Sequence, residues 1–314
     1  MSIPMQDDAA AASSRPVPEA GGPPAHVDHD DVGRFRSLAR GLWRFMTSSM
    51  AAFTGTTIVV AFVVVGALAD VLVQTDPLRV FGSDLLQPPS SDHWFGTDGN
   101  GMDVFARTIH AIQIDLVISV TAVGISIVVG VALGLVAGYR GGWFEMILLR
   151  VMDVLQAFPA LILALAVVAA SQESIAAVIF VIALLDTPVF IRMTRGQVLS
   201  LREAMYVEAA RATGNKPWRI MWRHIMPNTL PPLIIQTAVR LAWSVMIVSS
   251  LAFVGVGIQV PTPEWGAMIR HGSAYITSGQ WWPSVFPGLA LMLLVLGFNL
   301  LADAIQDYLD PRKD

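Results

Sequence analysis

Any chemistry in this sequence must come from a short set of side chains. Ser126 lies in Gly124-Ile125-Ser126-Ile127, inside an apolar run, and fits the short G-x-S-x pattern of intramembrane serine proteolysis. Such a serine needs a base within hydrogen-bond reach, usually histidine. The six histidines, His26, His29, His93, His110, His224 and His271, all fall outside the apolar runs. Ser126 therefore reads as a small residue that packs helices together. His26 and His29 have a metal-like i, i+3 spacing, but no further ligand lies nearby, so no metal site is expected. A phosphate-binding loop requires Gly-Lys-Ser/Thr. The only lysines are Lys216, between Asn215 and Pro217, and Lys313, between Arg312 and Asp314. ATP hydrolysis, if it drives this protein, must belong to another chain. There is no G-x-S-x-G, no H-E-x-x-H and no cysteine, which removes thiolate metal sites, disulfides and a cysteine nucleophile. No catalytic residue is expected.

Charge inside an apolar run is costly and marks a candidate site. Asp115, Asp153 and Asp186 lie near the ends of such runs, where hydration or local pairing is expected. Arg240 lies deeper: about ten residues separate it from Leu230, or ~15 Å of helical rise. Two readings stand side by side. Its stem snorkels to an interface, or its guanidinium faces a cavity and meets a carboxylate of a cargo molecule or a neighbouring subunit.

The elements that must position these residues follow from composition. Of 314 residues 54% are hydrophobic and 14% charged, with a mean hydropathy of +0.59, too much apolar surface for a soluble chain to hide. The net charge of −4 does not suggest a nucleic-acid partner. Crossing ~30 Å of hydrocarbon takes about 20 helical residues. Six runs meet or approach that length, near 51–73, 114–138, 146–170, 174–191, 233–257 and 285–305. Ser171-Gln172-Glu173 is expected to form a tight hairpin between the third and fourth. The expected fold is an all-α polytopic bundle of six transmembrane helices. Residues 1–33 read as a disordered tail without a signal-peptide core, so the first run reads as a retained anchor. Residues 34–113 then carry that span and a long loop, and 114–314 carry the other five spans.

Basic residues orient the bundle. Arg34, Arg36, Arg40 and Arg44 precede the first span, and Arg140 and Arg150 flank the link between the second and third. Seven more, from Arg192 to Arg223, crowd the link between the fourth and fifth, and Arg312 and Lys313 follow the sixth. The opposite loops hold only Arg79, Arg107 and Arg270, among acids such as Asp76, Asp84, Asp92, Asp98 and Asp103. By the positive-inside rule both termini and the Glu208 loop are cytoplasmic. On the other side, Trp265, Tyr275, Trp281 and Trp282 suit an interfacial aromatic belt.

One polar interlude, EAARATGNKPWRIMWRHIMPN over 208–228, stands apart from the apolar runs. Gly214 can take a positive φ and stop one helix. Asn215 is placed to cap a second, with Pro217 in its first turn and Pro227 closing the segment. Trp218, Met221, Trp222 and Ile225 fall at i, i+3, i+4 and i+7, one apolar stripe, while Lys216, Arg219 and Arg223 lie off it. Such a helix either docks into a partner or lies flat on an anionic membrane surface.

This stretch, with Glu208-Ala209-Ala210 six residues before Gly214, resembles the EAA loop of type I importer ABC permeases. His93-Trp94-Phe95-Gly96-Thr97-Asp98, Gly142-Trp143, Asp153 with Phe158-Pro159, Ser249-Ser250-Leu251-Ala252-Phe253 and Pro261-Thr262-Pro263-Glu264-Trp265-Gly266 are similar to the dipeptide/oligopeptide branch. So are Phe298-Asn299-Leu300-Leu301 and Leu309-Asp310-Pro311. Met102 stands where relatives of this branch carry arginine in G-T-D-x-x-G-R-D. The resemblance implies a MetI-like permease in the bacterial inner membrane that forms half of a peptide pathway. It implies a homologous second permease, two cytoplasmic ATPases that carry the ATP and magnesium, and an extracytoplasmic binding protein. The loop at about 199–228 would be the coupling element, with Glu208, Ala209, Ala210, Gly214, Pro217, Trp218, Met221, Trp222 and Pro227 its candidate residues. Arg240, Ser249 and Ser250 are the pathway candidates. Relatives of the branch also carry glutathione, nickel or modified sugars. A secondary transporter would more often show repeated halves around buried charges, and none is evident.

Overall fold

The computed structural model describes residues 41, 43–171 and 174–309. The expected tail at 1–33, with His26 and His29, and the hairpin residues Gln172 and Glu173 lie outside the described residues. Among the described residues the regular structure is helical, apart from two isolated bridges that join Val80 to Met102 and Thr97 to Asp103. Helix α1 (Met50–Ala67) leads into the short α2 (Ala69–Leu72), and a long loop connects to α3 (Val104–Arg140). Then come α4 (Gly142–Ala157), α5 (Ala160–Ala170), α6 (Ile175–Leu201), α7 (Met205–Ala212) and α8 (Pro217–Ile220). A π turn at Met221–Ile225 joins α8 to α9 (Met226–Val254), and α10 (Trp265–Ser273) and α11 (Trp282–Leu309) complete the chain. Three of the long helices begin on side-chain caps. Ser49, Asp103 and Ser174 accept from the backbone N–H of Ala52, Ala106 and Ala177 at 3.0, 2.7 and 3.2 Å, filling donors that a helix start leaves open.

Among the described residues five helices are long and apolar enough to cross a membrane: α1, α3, α6, the continuous Pro217–Val254 and α11. The expected straight span at 146–170 is not one helix. It is α4 and α5, 16 and 11 residues long, bent by 90° between them. Pro159 lacks an N–H and pushes Phe158 into an extended conformation, with ψ at 139°, so the helix cannot run through. Neither limb alone reaches the ~20 residues of a crossing, so a sixth crossing would need both limbs of this bent pair. The fifth span also differs, since its helix begins well before residue 233. Pro227 does not close the preceding segment. It sits in the first turn of α9, where a missing N–H costs little, and the π turn just before it absorbs the mismatch.

The most extensive helix contact among the described residues is α3 against α6. Gly130, Gly134 and Gly138 recur every four residues on α3. A Cβ on Gly130 would sit 2.5 Å from Phe190 Cβ, and those on Gly134 and Gly138 would sit 2.8 Å from Ile191 O and Val198 Cβ. Bare glycines let the backbones touch, a source of helix affinity where lipid removes the hydrophobic drive. Ser126 joins the same seam, its Oγ donating to Ala122 O at 2.8 Å and across to Ala183 O at 3.1 Å. At one end Val104, Trp265, Met268 and Trp282 belong to one buried cluster, and toward the other end Leu135, Val198, Ile220 and Ile225 belong to another. Outward-facing Val117 and Val128 stay exposed, as suits a surface solvated by hydrocarbon.

Candidate functional site

At one end of the bundle the loop between α6 and α9 projects as two short helices. Val207 and Ala210 of α7 are buried in the core cluster that includes Val198, while Glu208 and Ala209 stay exposed. Gly214 adopts φ +78° in open space, the left-handed turn that ends α7. Asn215 does not cap the next helix as expected. Its Nδ2 donates backward, to the Ala210 carbonyl at 3.1 Å and the Thr213 hydroxyl at 3.0 Å, at the C-terminal end of α7. Helix α8 starts after Lys216 without a side-chain cap, with Pro217 in its first turn.

The expected single apolar stripe divides. Met221 and Ile225 turn inward with Ile220, all at most 5% exposed, whereas Trp218 and Trp222 face out at 63% and 38%. The physical reason is continuity. The π turn shifts the helical phase, and a segment that runs into a span must pack one side against its own bundle. The two indoles stack at a tilt, 5.3 Å between centroids, in a rim of exposed Lys216, Arg219 and Arg223. The projection is tied down by Arg211 over the Tyr139 ring and by Arg202, which donates to Gly138 O at 3.0 Å. An ion pair from Arg195 to Glu145 and another from Arg192 to Asp153 at 2.7 Å link α6 to α4. Asp153 is thus paired and hydrated, as expected.

Asp186 and Arg240 depart from expectation together. Asp186 is not near a wet end. It lies eleven residues into α6, fully buried, ~16 Å along the helix. Arg240 of α9 does not snorkel. Its Nη1 lies 3.4 Å from Asp186 Oδ1, its Nε meets the Gln236 amide oxygen at 2.8 Å, and its guanidinium lies 5.6 Å from the Trp243 ring centre. The pair spans 54 positions of sequence, so no local pattern announces it. Of the other pathway candidates, Ser250 bonds its own helix at Met246 O, 2.6 Å away. Ser249 is buried, and its backbone abuts Gly266, where any Cβ would overlap Ser249 O.

That contact belongs to the opposite end. Glu264 is fully buried and caps α10, accepting from Gly266 N at 2.8 Å and Ala267 N at 2.7 Å. Burial pushes its carboxyl up to about 6, against the lowering effect of those N–H groups and of Ser249. Asp115 is likewise fully buried beside it and not hydrated, because α10 folds back over α3. Trp265 and Trp282 form no interfacial belt. Both are buried, donating to Thr108 O at 3.0 Å and Thr97 O at 3.1 Å. Arg107, 2% exposed, lies against Met102. Its Nη1 donates to Pro77 O and Pro261 O, contacts the Met102 sulfur, and its Nε lies 3.8 Å from Asp98 Oδ2. Among the described residues no group of three His or acidic side chains is arranged to hold a metal.

Residues 130–314 match the family described as binding-protein-dependent transport system inner membrane component. The chain is 36% identical to a dipeptide transport system permease protein of Alkalihalophilus pseudofirmus, over 94% of this chain and 96% of that one. It is 36% identical to a probable D,D-dipeptide transport system permease protein of Escherichia coli K12, covering 87% and 91%. It is 40% identical to a glutathione transport system permease protein of Escherichia coli O157:H7, covering 86% and 89%.

Proposed function

The chain belongs to the binding-protein-dependent transport system inner membrane components, and from that premise we propose that it forms half of the pathway of an ATP-driven importer of small peptides. The other half is a homologous second permease. Two cytoplasmic ATPases carry ATP and magnesium, and an extracytoplasmic binding protein delivers the cargo. The excess of arginine on the Glu208 side supports an orientation with both termini and this loop in the cytoplasm.

The observation that carries the reading is the outward Trp218–Trp222 pair on a helix continuous with a span. An exposed aromatic pair in a cationic rim suits a socket on a partner, since buried aromatics dominate interface energetics. Because Ile220, Met221 and Ile225 lock the same helix to the core, a push on the indoles moves α9 as a unit. The coupling surface is therefore Trp218 and Trp222, shaped by Glu208, Ala209, Ala210, Gly214, Pro217 and Pro227, with Met221 as its internal anchor. On α9 the moving helix carries Arg240, bonded to Asp186 on α6, and a peptide carboxylate passing this point would compete for that bond.

The 40% identity to glutathione permeases favours a second cargo of the same class, a tripeptide with free carboxylates. The test is uptake of labelled alanyl-alanine and of glutathione by cells with the chain deleted and restored. Chain-dependent uptake of either supports the reading, and uptake of both unchanged by deletion refutes it.

A further inference from the structure

A cavity of about 320 Å³ opens at the Glu264 end, away from the coupling loop. Its walls come from three places: the loop with Asp98 and Asn100, the start of α3 with Arg107, and the α10 region with Arg270, His271 and Tyr275. None of these residues is a coupling or pathway candidate. Taken with the proposed orientation, the cavity faces the side from which cargo arrives.

Its charges are arranged for a ligand that bears both signs. Arg107 is its most buried charge. It is 2% exposed, its Nη1 is committed to two carbonyls, and its Nε lacks a hydrogen-bond acceptor. A buried donor left open is costly, and an acceptor oxygen entering the cavity would relieve it. Arg270 is exposed, and no carboxylate lies within ion-pair distance of it among the described residues. Its guanidinium lies against Gly255 at the end of α9, where any Cβ would overlap it, and the Tyr275 phenol lies against Gly99 in the same way. Two bare glycines thus make room for the arginine and the tyrosine that line the space. Asp98 supplies the one negative wall. Its Oδ1 accepts from Asn100 N and Met102 N at 2.8 and 2.9 Å, which leaves Oδ2, 3.8 Å from Arg107 Nε.

We propose that this cavity is an entry site for a small zwitterionic peptide, its free carboxylate held by Arg270 and Arg107 and its ammonium group facing Asp98. A planar guanidinium fork matches a carboxylate bidentately. The volume lies at the small end of ligand pockets, about 300–1,000 Å³, which suits a di- or tripeptide and not a protein segment. Because α10 is pressed onto Ser249 of α9 at Gly266, a bound carboxylate touches an element rigidly joined to the helix that carries Trp218 and Trp222. The proposal rests on the peptide-importer reading and deepens it.

The test uses the assembled transporter in lipid nanodiscs without its binding protein, probed with alanyl-alanine, its C-terminal amide and its N-acetyl form. Binding is followed by ligand-observed NMR. The free dipeptide should bind the wild type, and Arg270→Gln should weaken it at least tenfold. The amide should bind the wild type as weakly as the free peptide binds that variant, and acetylation should cause a smaller loss. Gly99→Ala, which drives Tyr275 off its seat, is a second variant that leaves every charge in place and should also weaken binding. Monodisperse co-purification with the partner subunits establishes that each variant is assembled. Equal affinity of free and amidated peptide, equal affinity in wild type and both variants, or no binding to the wild type each overturns the proposal. If cells lacking the chain take up labelled peptide normally, the importer reading itself fails. If uptake needs the chain but the binding results go against the cavity, only the entry site fails.

Discussion

Replacing Trp218 and Trp222 together by alanine should detach the ATPases while leaving the bundle folded. The two indoles are 63% and 38% exposed, together about one whole tryptophan surface. A large aromatic residue buries about 150–250 Å². At about 25 cal/mol per Å², docking this surface contributes about 4–6 kcal/mol, in line with the truncation of two interface hot spots. Some of that is offset by ordering costs on association. A net loss of about 4 kcal/mol corresponds to roughly a thousandfold weaker complex. Both rings already face outward, so their removal should cost the isolated permease no more than about 0.5 kcal/mol each. The assay places the permease pair in nanodiscs and titrates fluorescent ATPase, with peptide-stimulated ATP hydrolysis as a second readout. A dissociation constant that moves less than tenfold, with stimulated hydrolysis intact, would refute the docking assignment. In that outcome the indoles lie in the lipid surface instead, and the variant should partition more weakly into anionic vesicles.

Arg240→Met should strand the buried Asp186 and destabilise the permease by about 2–4 kcal/mol, somewhat below the figure for a fully buried pair because Arg240 is partly exposed. Adding Asp186→Asn should restore most of that loss, and a thermal-unfolding double-mutant cycle without coupling would dismiss the pair. Glu264 makes a pH prediction. Its folded carboxyl is raised to about 6 from an ordinary 4.5, so the folded chain keeps a proton that the unfolded chain has already released between those values. The associated stability is complete below about pH 4.5 and is lost as pH rises through 6, by about 2 kcal/mol. Glu264→Gln should flatten that slope in thermal midpoints recorded from pH 4 to 8, and an unchanged slope would assign the titration elsewhere. Gly134→Val should force α3 from α6, since even a Cβ would lie 2.8 Å from Ile191 O. The expected cost is about 1–3 kcal/mol in thermal stability, and a neutral variant would mean that the seam is looser than described.

Much of this protein was legible one stretch at a time. Hydropathy is a local property, so five spans stood out as runs, and Gly214 and Pro217 marked the break and restart of the loop through their own backbone preferences. Pro159 carried the signal for the broken third span, yet the apolar run around it hid that signal. What only tertiary packing decided is which side chains meet. Periodicity placed Trp218, Met221, Trp222 and Ile225 on one stripe, but a π turn and the demands of a continuous span turned Met221 and Ile225 inward. Arg240 finds Asp186 on another helix, and Glu264 sits over Ser249 and Asp115 from a loop that had looked like a membrane-surface anchor. A buried charge needs a partner within a few ångströms, and a linear chain does not record which distant residue will be that close.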